Sequence, residues 1–274
     1  SNVRFGVNAG NSIVSGGNFN VVIGDEAGTA ITTGDFNVAV GFEALKTEDA
    51  NSRNTAMGYQ ALKTLNAGAD AENVAIGYLA GLSLTTGVDN VLVGGRAGDA
   101  LTDADFNTAI GRGALTGDTL GSKTTAVGNQ ALATQNFTTA TDAFNVAVGH
   151  NAGTAVTTGV QNTLVGGLAG DAITTGQNNV AMGYLALSSD DVGDNSVAIG
   201  VLALNAQNPT TATNMYNVAV GRSAGAAVTT GVQNTLIGAL SGDAITTANN
   251  NVALGFQALT ANTTSANNIA IGPF

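Results

Sequence analysis

Side chains able to do acid–base, nucleophilic or metal chemistry are few among the 274 residues. There is one histidine, His150, and no cysteine. Thiol catalysis, disulfide bonding and Cys/His zinc coordination are therefore excluded. A catalytic histidine needs a nucleophile and an orienting acid at set positions, and neither is placed for His150. Acidic clusters occur at Asp103/Asp105, Asp190/Asp191/Asp194 and Asp70/Glu72. Calcium takes about six to eight oxygen ligands, and none of the three clusters has the spacing of a calcium loop. Each reads as a solvated turn. No lysine stands in a Gly-Lys-Ser/Thr arrangement, so the glycine-rich stretches are not phosphate loops. The expectation is a non-catalytic chain with no metal and no cofactor.

Aromatic residues offer binding instead. Phe42, Tyr59, Tyr78, Tyr184 and Phe256 each follow a glycine that recurs along the chain. The same column holds His150, Asp25, Arg112 and Asn129, a mixture that only a solvent-facing position accepts. Rings there either stack on sugar or pack against a neighbouring chain, and packing is the preferred reading. Two segments, Gln135–Phe144 (QNFTTATDAF) and Gln207–Tyr216 (QNPTTATNMY), carry four extra residues each. Insertions in repeat folds map to loops on one side, often the binding side. Phe137, Phe144, Met215 and Tyr216 are expected as apolar loop tips for receptor contact, or alternatively as seals of an assembly edge.

These side chains are positioned by an internal repeat. The unit Asn, β-branched, Ala/Leu, apolar, Gly occurs 16 times, ending at glycines 6, 24, 41, 58, 77, 94, 111, 128, 149, 166, 183, 200, 221, 238, 255 and 272. The basic period is 17 residues, and a longer one of 72 residues links 77, 149 and 221. The structural repeat residues include Asn145, Asn162 and Asn217 with Gly149, Gly166, Gly183, Gly200 and Gly221. Asparagine tolerates left-handed backbone and bonds its own chain, which suits a turn opening a strand. Only Thr124 and Ser196 interrupt the asparagine column. The β-branched residue after it fits a pleated surface. A strand alternates its faces, and here both are apolar, so both are expected to be buried. The repeated glycine marks a place without room for a Cβ.

Four residues after that glycine stands either Gly or Leu, in the order Gly, Gly, Leu, Leu. Seven after it, the residue is apolar where the first is Gly (Ile31, Leu84, Val156, Ile173) and polar where the first is Leu (Glu48, Asp118, Gln135, Asp190, Gln207). Leu65 alone breaks the rule. One large apolar group per unit, supplied from either place, is what a core of fixed volume requires.

The pattern predicts an all-β chain, a parallel β-solenoid or β-roll of about 16 coils forming one repeat domain over 1–274. Each coil contacts its neighbours. The second apolar strand face needs a covering surface, and a homotrimer supplies it most simply. Charged residues are only 10% and the net charge is −11, which leaves no electrostatic footprint for nucleic acid. No run of apolar residues is long enough to span a membrane.

The segment Asn195-Ser196-Val197-Ala198-Ile199-Gly200 resembles the head repeat of YadA-type trimeric autotransporter adhesins. The 17-residue form, from Asn145-Val146-Ala147-Val148-Gly149 to Thr157-Thr158-Gly159, is similar to repeat arrays of phage tail-fibre and related surface proteins. The resemblance covers essentially the whole chain. It implies a left-handed parallel β-roll assembled as a trimer on a virion or cell surface, with itself and a host-surface receptor or glycan as partners. The adhesin unit is shorter, and no coiled-coil stalk, membrane anchor or chaperone segment is legible, so one segment of a larger fibre is expected. The implied function is a structural or adhesive fibre segment, acting as a spacer rod or receptor binder. The alternatives are an ice-binding or glycan-binding solenoid. Ice binding fits poorly, because the Thr-Thr column (Thr32-Thr33, Thr157-Thr158) is interrupted by Asp49-Ala50 and Asn208-Pro209. A polysaccharide-cleaving solenoid needs carboxylates grouped on a broad face, and these acids sit in turns.

Overall fold

The computed structural model describes residues 1–68 and 70–273. No helix occurs among them, and none is long and apolar enough to cross a membrane. The chain divides into two compact units, Ser1–Ala143 and Phe144–Phe274.

The first unit holds β1 (Val3–Phe5), β2 (Val21–Ile23), β3 (Val38–Val40), β4 (Thr55–Met57), β5 (Val74–Ile76), β6 (Val91–Val93), β7 (Thr108–Ile110), β8 (Gly121–Ser122), β9 (Thr125–Val127) and β10 (Thr141–Asp142). The second holds β11 (Val146–Val148), β12 (Thr163–Val165), β13 (Val180–Met182), β14 (Gly193–Asp194), β15 (Val197–Ile199), β16 (Thr213–Asn214), β17 (Val218–Val220), β18 (Thr235–Ile237), β19 (Val252–Leu254) and β20 (Ile269–Ile271). In each unit the eight three-residue strands stack in chain order as a parallel ladder. Repeat position pairs with the same repeat position, as in Val38↔Thr55, Ala39↔Ala56 and Val40↔Met57, or Val180↔Val197, Ala181↔Ala198 and Met182↔Ile199. The protein is thus a parallel β-solenoid of about 16 coils. Short second ladders join β8 to β10 and β14 to β16, at the coils with extra residues.

Each column has a physical cause. The repeated glycines have φ between +118° and +145°, a region that L side chains avoid. A Cβ at Gly200 would also lie 2.5 Å from the carbonyl oxygen of Gly221 in the next coil. The asparagines do more than open a turn. Asn162 accepts the Asn179 backbone N–H on Oδ1 (3.0 Å) and donates Nδ2 to the Gly176 carbonyl (2.9 Å). Asn145 likewise accepts the Asn162 N–H and donates to Gly159, and Asn217 accepts the Asn234 N–H and donates to Gly231. These side chains are buried and satisfy backbone groups that the three-residue strands leave unpaired. The left-handed residue of this turn is the one before the asparagine, as at Phe36, Gln161 and Asn178.

The core lies inside the coil. The middle residue of the strand points inward and is buried, as at Ala39, Leu92, Leu164 and Leu236, and so is the alanine three after the glycine. The alternation of Gly and Leu follows from one filled volume. A Cβ on Gly28 would stand 2.8 Å from Ile31 Cδ1, and one on Gly170 would stand 2.8 Å from Ile173 Cδ1. Where Leu45, Leu62, Leu115, Leu132, Leu187 or Leu204 fills the space instead, it is fully buried. Those leucines hold φ of 47° to 55°. The left-handed backbone costs a leucine about 1–2 kcal/mol, while burying its side chain contributes about 1.5–3 kcal/mol.

One expectation is corrected here. Asp190 is not in a solvated turn but fully buried, as are Glu48, Asp118, Gln135 and Gln207. In the three-residue strands from β2 to β19 the middle residue is buried within the chain, and the flanking residues are half-buried or exposed. A three-residue strand in a thin coil has one inside, so its outer pair of side chains meets solvent.

Candidate interaction face and the buried acids behind the long loops

The outward strand positions form two apolar columns in each unit. The first is Val, Thr or Ile, and the second is Val, Ile, Met, Leu or Phe. Val148 is 37% exposed and Met57 40%. Ile76, Ile110, Met182, Ile199, Ile237 and Leu254 are also exposed. Aromatic residues border these columns along the coil on both sides. Before the asparagine stand Phe19, Phe36, Phe106, Phe144 and Tyr216; after the glycine stand Phe42, Tyr59, Tyr78, Tyr184 and Phe256, all exposed. Rings on consecutive coils stack: Phe19 on Phe36 at 5.2 Å, Phe42 on Tyr59 and Tyr59 on Tyr78 at 5.5 Å. A contiguous apolar face of this kind marks an interaction surface.

The four expected receptor contacts separate into two pairs. Phe144 and Tyr216 are 50% and 53% exposed. They are ordinary members of the left-handed column before the asparagine, with φ of 50° each. Phe137 and Met215 are not loop tips. Phe137 is 6% exposed and Met215 fully buried. The loop carrying Phe137 folds back over β8, so that a Cβ on Gly121 would lie 2.8 Å from Phe137 Cδ2. Met215 takes a regular coil position, its N–H donating to Asp194 and its carbonyl accepting from Gln233. The extra residues bulge at 138–141 and 210–213 instead, where the chain is mostly exposed and polar.

What seats these loops is a pair of buried polar clusters. Asp118 Oδ1 accepts the backbone N–H groups of Gly121 and Phe137, both at 3.1 Å, and Oδ2 accepts Gln135 Nε2 at 2.6 Å. Gln135 also donates to Thr124 Oγ1 (3.1 Å). One 72-residue repeat later, Asp190 accepts Gly193 N–H (2.7 Å) and Gln207 Nε2 (2.5 Å). Gln207 donates to Ser196 Oγ (2.9 Å) and accepts Asn217 Nδ2 (2.8 Å). Burial pushes the Asp190 carboxyl above the ordinary aspartate value, against the lowering hydrogen bonds from Gln207 and Gly193. Sequence reasoning missed this, though a signal existed. Thr124 and Ser196 are the only breaks in the asparagine column, and each shares its coil with the glutamine it bonds. The shorter hydroxyl leaves room for an amide that arrives from across the coil.

Glu48 occupies the same position in the first unit, but Leu65 stands where a glutamine would be. Its Oε1 accepts Asn51 Nδ2 (2.5 Å) and N–H (3.3 Å), while Oε2 is buried without a partner. Burial raises its pKa above 4.5.

Most of the other clustered acids are held by the chain itself, whereas Asp191, like Asp171, keeps a buried Oδ1 without a partner. Asp103 accepts the Thr86 hydroxyl, Asp105 the Val88 N–H, and Asp194 the Gln177 N–H. Asp70 and Glu72 both pair with Arg53, at 3.0 and 2.9 Å. No group of three metal-ligating side chains exists among the described residues. His150 is exposed. In every pair but Thr263-Thr264 the first threonine donates its hydroxyl to a carbonyl one coil on, as Thr32 to Asp49, Thr85 to Thr102, Thr157 to Thr174 and Thr229 to Thr246. Those hydroxyl protons are spent internally rather than presented as a lattice.

No protein-family model matches the chain, and no curated protein matches it in sequence. The class that the fold defines is therefore a parallel β-solenoid repeat protein.

Proposed function

We propose that this chain is a non-catalytic structural and adhesive fibre segment of a virion or cell surface, assembled as a homotrimer of left-handed rolls through its outward apolar face. The observation that carries the reading is that face: two columns of Val, Ile, Met, Leu and Thr, repeated along the coils and left open by the single chain. A surface that apolar gains free energy when covered. A second copy of the chain presents the same columns at the same spacing, so a cyclic assembly matches it coil for coil. The resemblance to adhesin heads and tail-fibre arrays supports the same assembly, and the internal hydrogen bonds or ion pairs of Asp103, Asp105, Asp118, Asp190, Asp194, Asp70 and Glu72 speak for a scaffold over a catalyst.

The test is mass in solution. Light scattering is expected to give about three times the mass of the single chain. Val148→Asp and Val220→Asp each place a charge on the outward face, where assembly would bury it unpaired. Both variants are expected to keep a strand-type circular dichroism spectrum and to run as monomers. A monomeric parent chain, or a trimer that survives both substitutions, overturns the reading.

A further inference from the structure

The stacked ladder of Phe42, Tyr59 and Tyr78 stops at Gly95, the next member of the same column. The backbone register continues without a break. Arg96 N–H donates to the Tyr78 carbonyl at 2.8 Å, and Gly113 N–H to the Gly95 carbonyl at 3.0 Å. The missing ring therefore leaves a gap, not a distortion. A Cβ on Gly95 would meet nothing within 4 Å. Beyond the gap the column resumes with Arg112. Tyr78 and Arg112 stand two coils apart, about 10 Å at the usual strand spacing of roughly 4.8 Å. One six-membered ring centred in the slot lies about 5 Å from each neighbour, close to the 5.5 Å between the stacked rings before it. The three rings before it show that each coil accommodates one.

The charges around the slot are equally specific. Lys46, Arg53, Lys63 and Lys123 are held in ion pairs, and Arg4 donates to the Gly10 carbonyl. Arg96 and Arg112, exposed on adjacent coils, make no ion pair among the described residues. Asp99, on the same coil as Arg96, accepts the Thr116 hydroxyl (2.5 Å) instead. Arg222 is likewise without an ion pair among the described residues, but Arg96 and Arg112 alone are neighbours, and two adjacent guanidinium forks in a chain of net charge −11 suit a carboxylate ligand. The column has one comparable gap, at Gly167, and there Tyr184 leans in to 3.6 Å of the Cβ position with no arginine on that coil or the next.

We propose that Tyr78, Gly95, Arg96 and Arg112 form a binding slot for one acidic sugar residue, a pyranose carrying a carboxylate. Its ring lies between the Tyr78 face and the Arg112 guanidinium, and its carboxylate meets Arg96 and Arg112. The inference rests on the adhesive part of the proposed function and names the class of glycan recognised.

The test is calorimetric titration of the full chain with oligogalacturonate, oligoglucuronate and sialyllactose, with the neutral galacto- and gluco-oligosaccharides as controls. At least one acidic ligand is expected to bind, at least tenfold tighter than its neutral counterpart and more weakly as salt rises. Gly95→Phe restores the missing ring in open space and is expected to abolish binding while the circular dichroism spectrum stays unchanged. Arg112→Gln and Arg96→Gln are each expected to weaken binding at least tenfold. Arg222→Gln, in the same column but between Val201 and Ala239, is expected to leave it unchanged. Failure of all three acidic ligands to bind, or binding that survives Gly95→Phe, overturns the slot. Mass measured on the same samples separates the two readings: a trimer that binds none of them loses the slot alone, and a monomer that binds loses the self-association alone.

Discussion

Gly200 and Gly95 show how differently one residue type is used. At Gly200, φ is +130° and the next coil's carbonyl occupies the place of a Cβ. Gly200→Ala adds backbone strain of about 1–3 kcal/mol to a steric clash, and the second unit is expected to lose stability by at least that amount in urea unfolding. Gly95→Ala, with open space and no positive φ, is expected to leave the midpoint unchanged. Glu48 is the other informative residue. Its folded pKa is raised by burial, so the folded chain holds the proton more tightly than the unfolded chain. The resulting stability is fully present below the unfolded value and is lost as pH rises through the folded one. Glu48→Gln is neutral at every pH. It is expected to match the parent in urea midpoint below pH 4.5, the ordinary glutamate value, and to exceed it near neutrality. A constant difference across that range would show that Glu48 has the same pKa folded and unfolded, against the raised value that its burial implies.

The elements here are coils of a three-residue strand with its turns, too short to hold themselves by ladder hydrogen bonds alone. Side chains complete them: the asparagine column satisfies backbone groups between coils, Asp118 gathers the Gly121 and Phe137 N–H groups with the Gln135 amide, and Asp190 the Gly193 N–H with the Gln207 amide. Asp190→Ala leaves the Gly193 N–H and the Gln207 amide without their acceptor, at about 1–3 kcal/mol for each buried group. That loss is expected to fall on the loop it seats. Limited proteolysis should cut Asp190→Ala within 207–216 at least tenfold faster than the parent, and Asp118→Ala within 135–144. Equal cutting rates would show that the loops are held by other contacts. Leu65→Gln supplies Glu48 with the partner that Gln135 and Gln207 give their acids, and is expected to raise the urea midpoint of the first unit.

For the whole molecule, the apolar face lies outside the coil core, so charged substitutions on it, Val148→Asp and Val220→Asp, are expected to separate the proposed assembly from folding. Substitutions of the inward column should not separate them. Ala147→Asp puts a charge inside the coil and is expected to prevent folding, with loss of the strand-type spectrum rather than a change of mass alone.

The sequence by itself determined the coil. Its 17-residue spacing, the Asn and Gly columns and the exchange of Gly28/Ile31 for Leu45/Glu48 each state a local requirement, since every coil solves the same packing problem against the next. The outward aromatic column was legible for the same reason: a position that accepts Tyr78, Arg112 and His150 alike faces solvent. What only the tertiary structure decided is how residues distant along a coil meet across it. Phe137 and Met215 looked like exposed tips because they lie in inserted segments, yet the loop's return path buries them. Asp190 looked solvated because it is an acid in a turn, yet Gln207 reaches it from the following coil, as Gln135 reaches Asp118. Periodicity fixes which positions are equivalent; the direction in which a side chain crosses the interior depends on backbone geometry that repeats only once the coils are stacked.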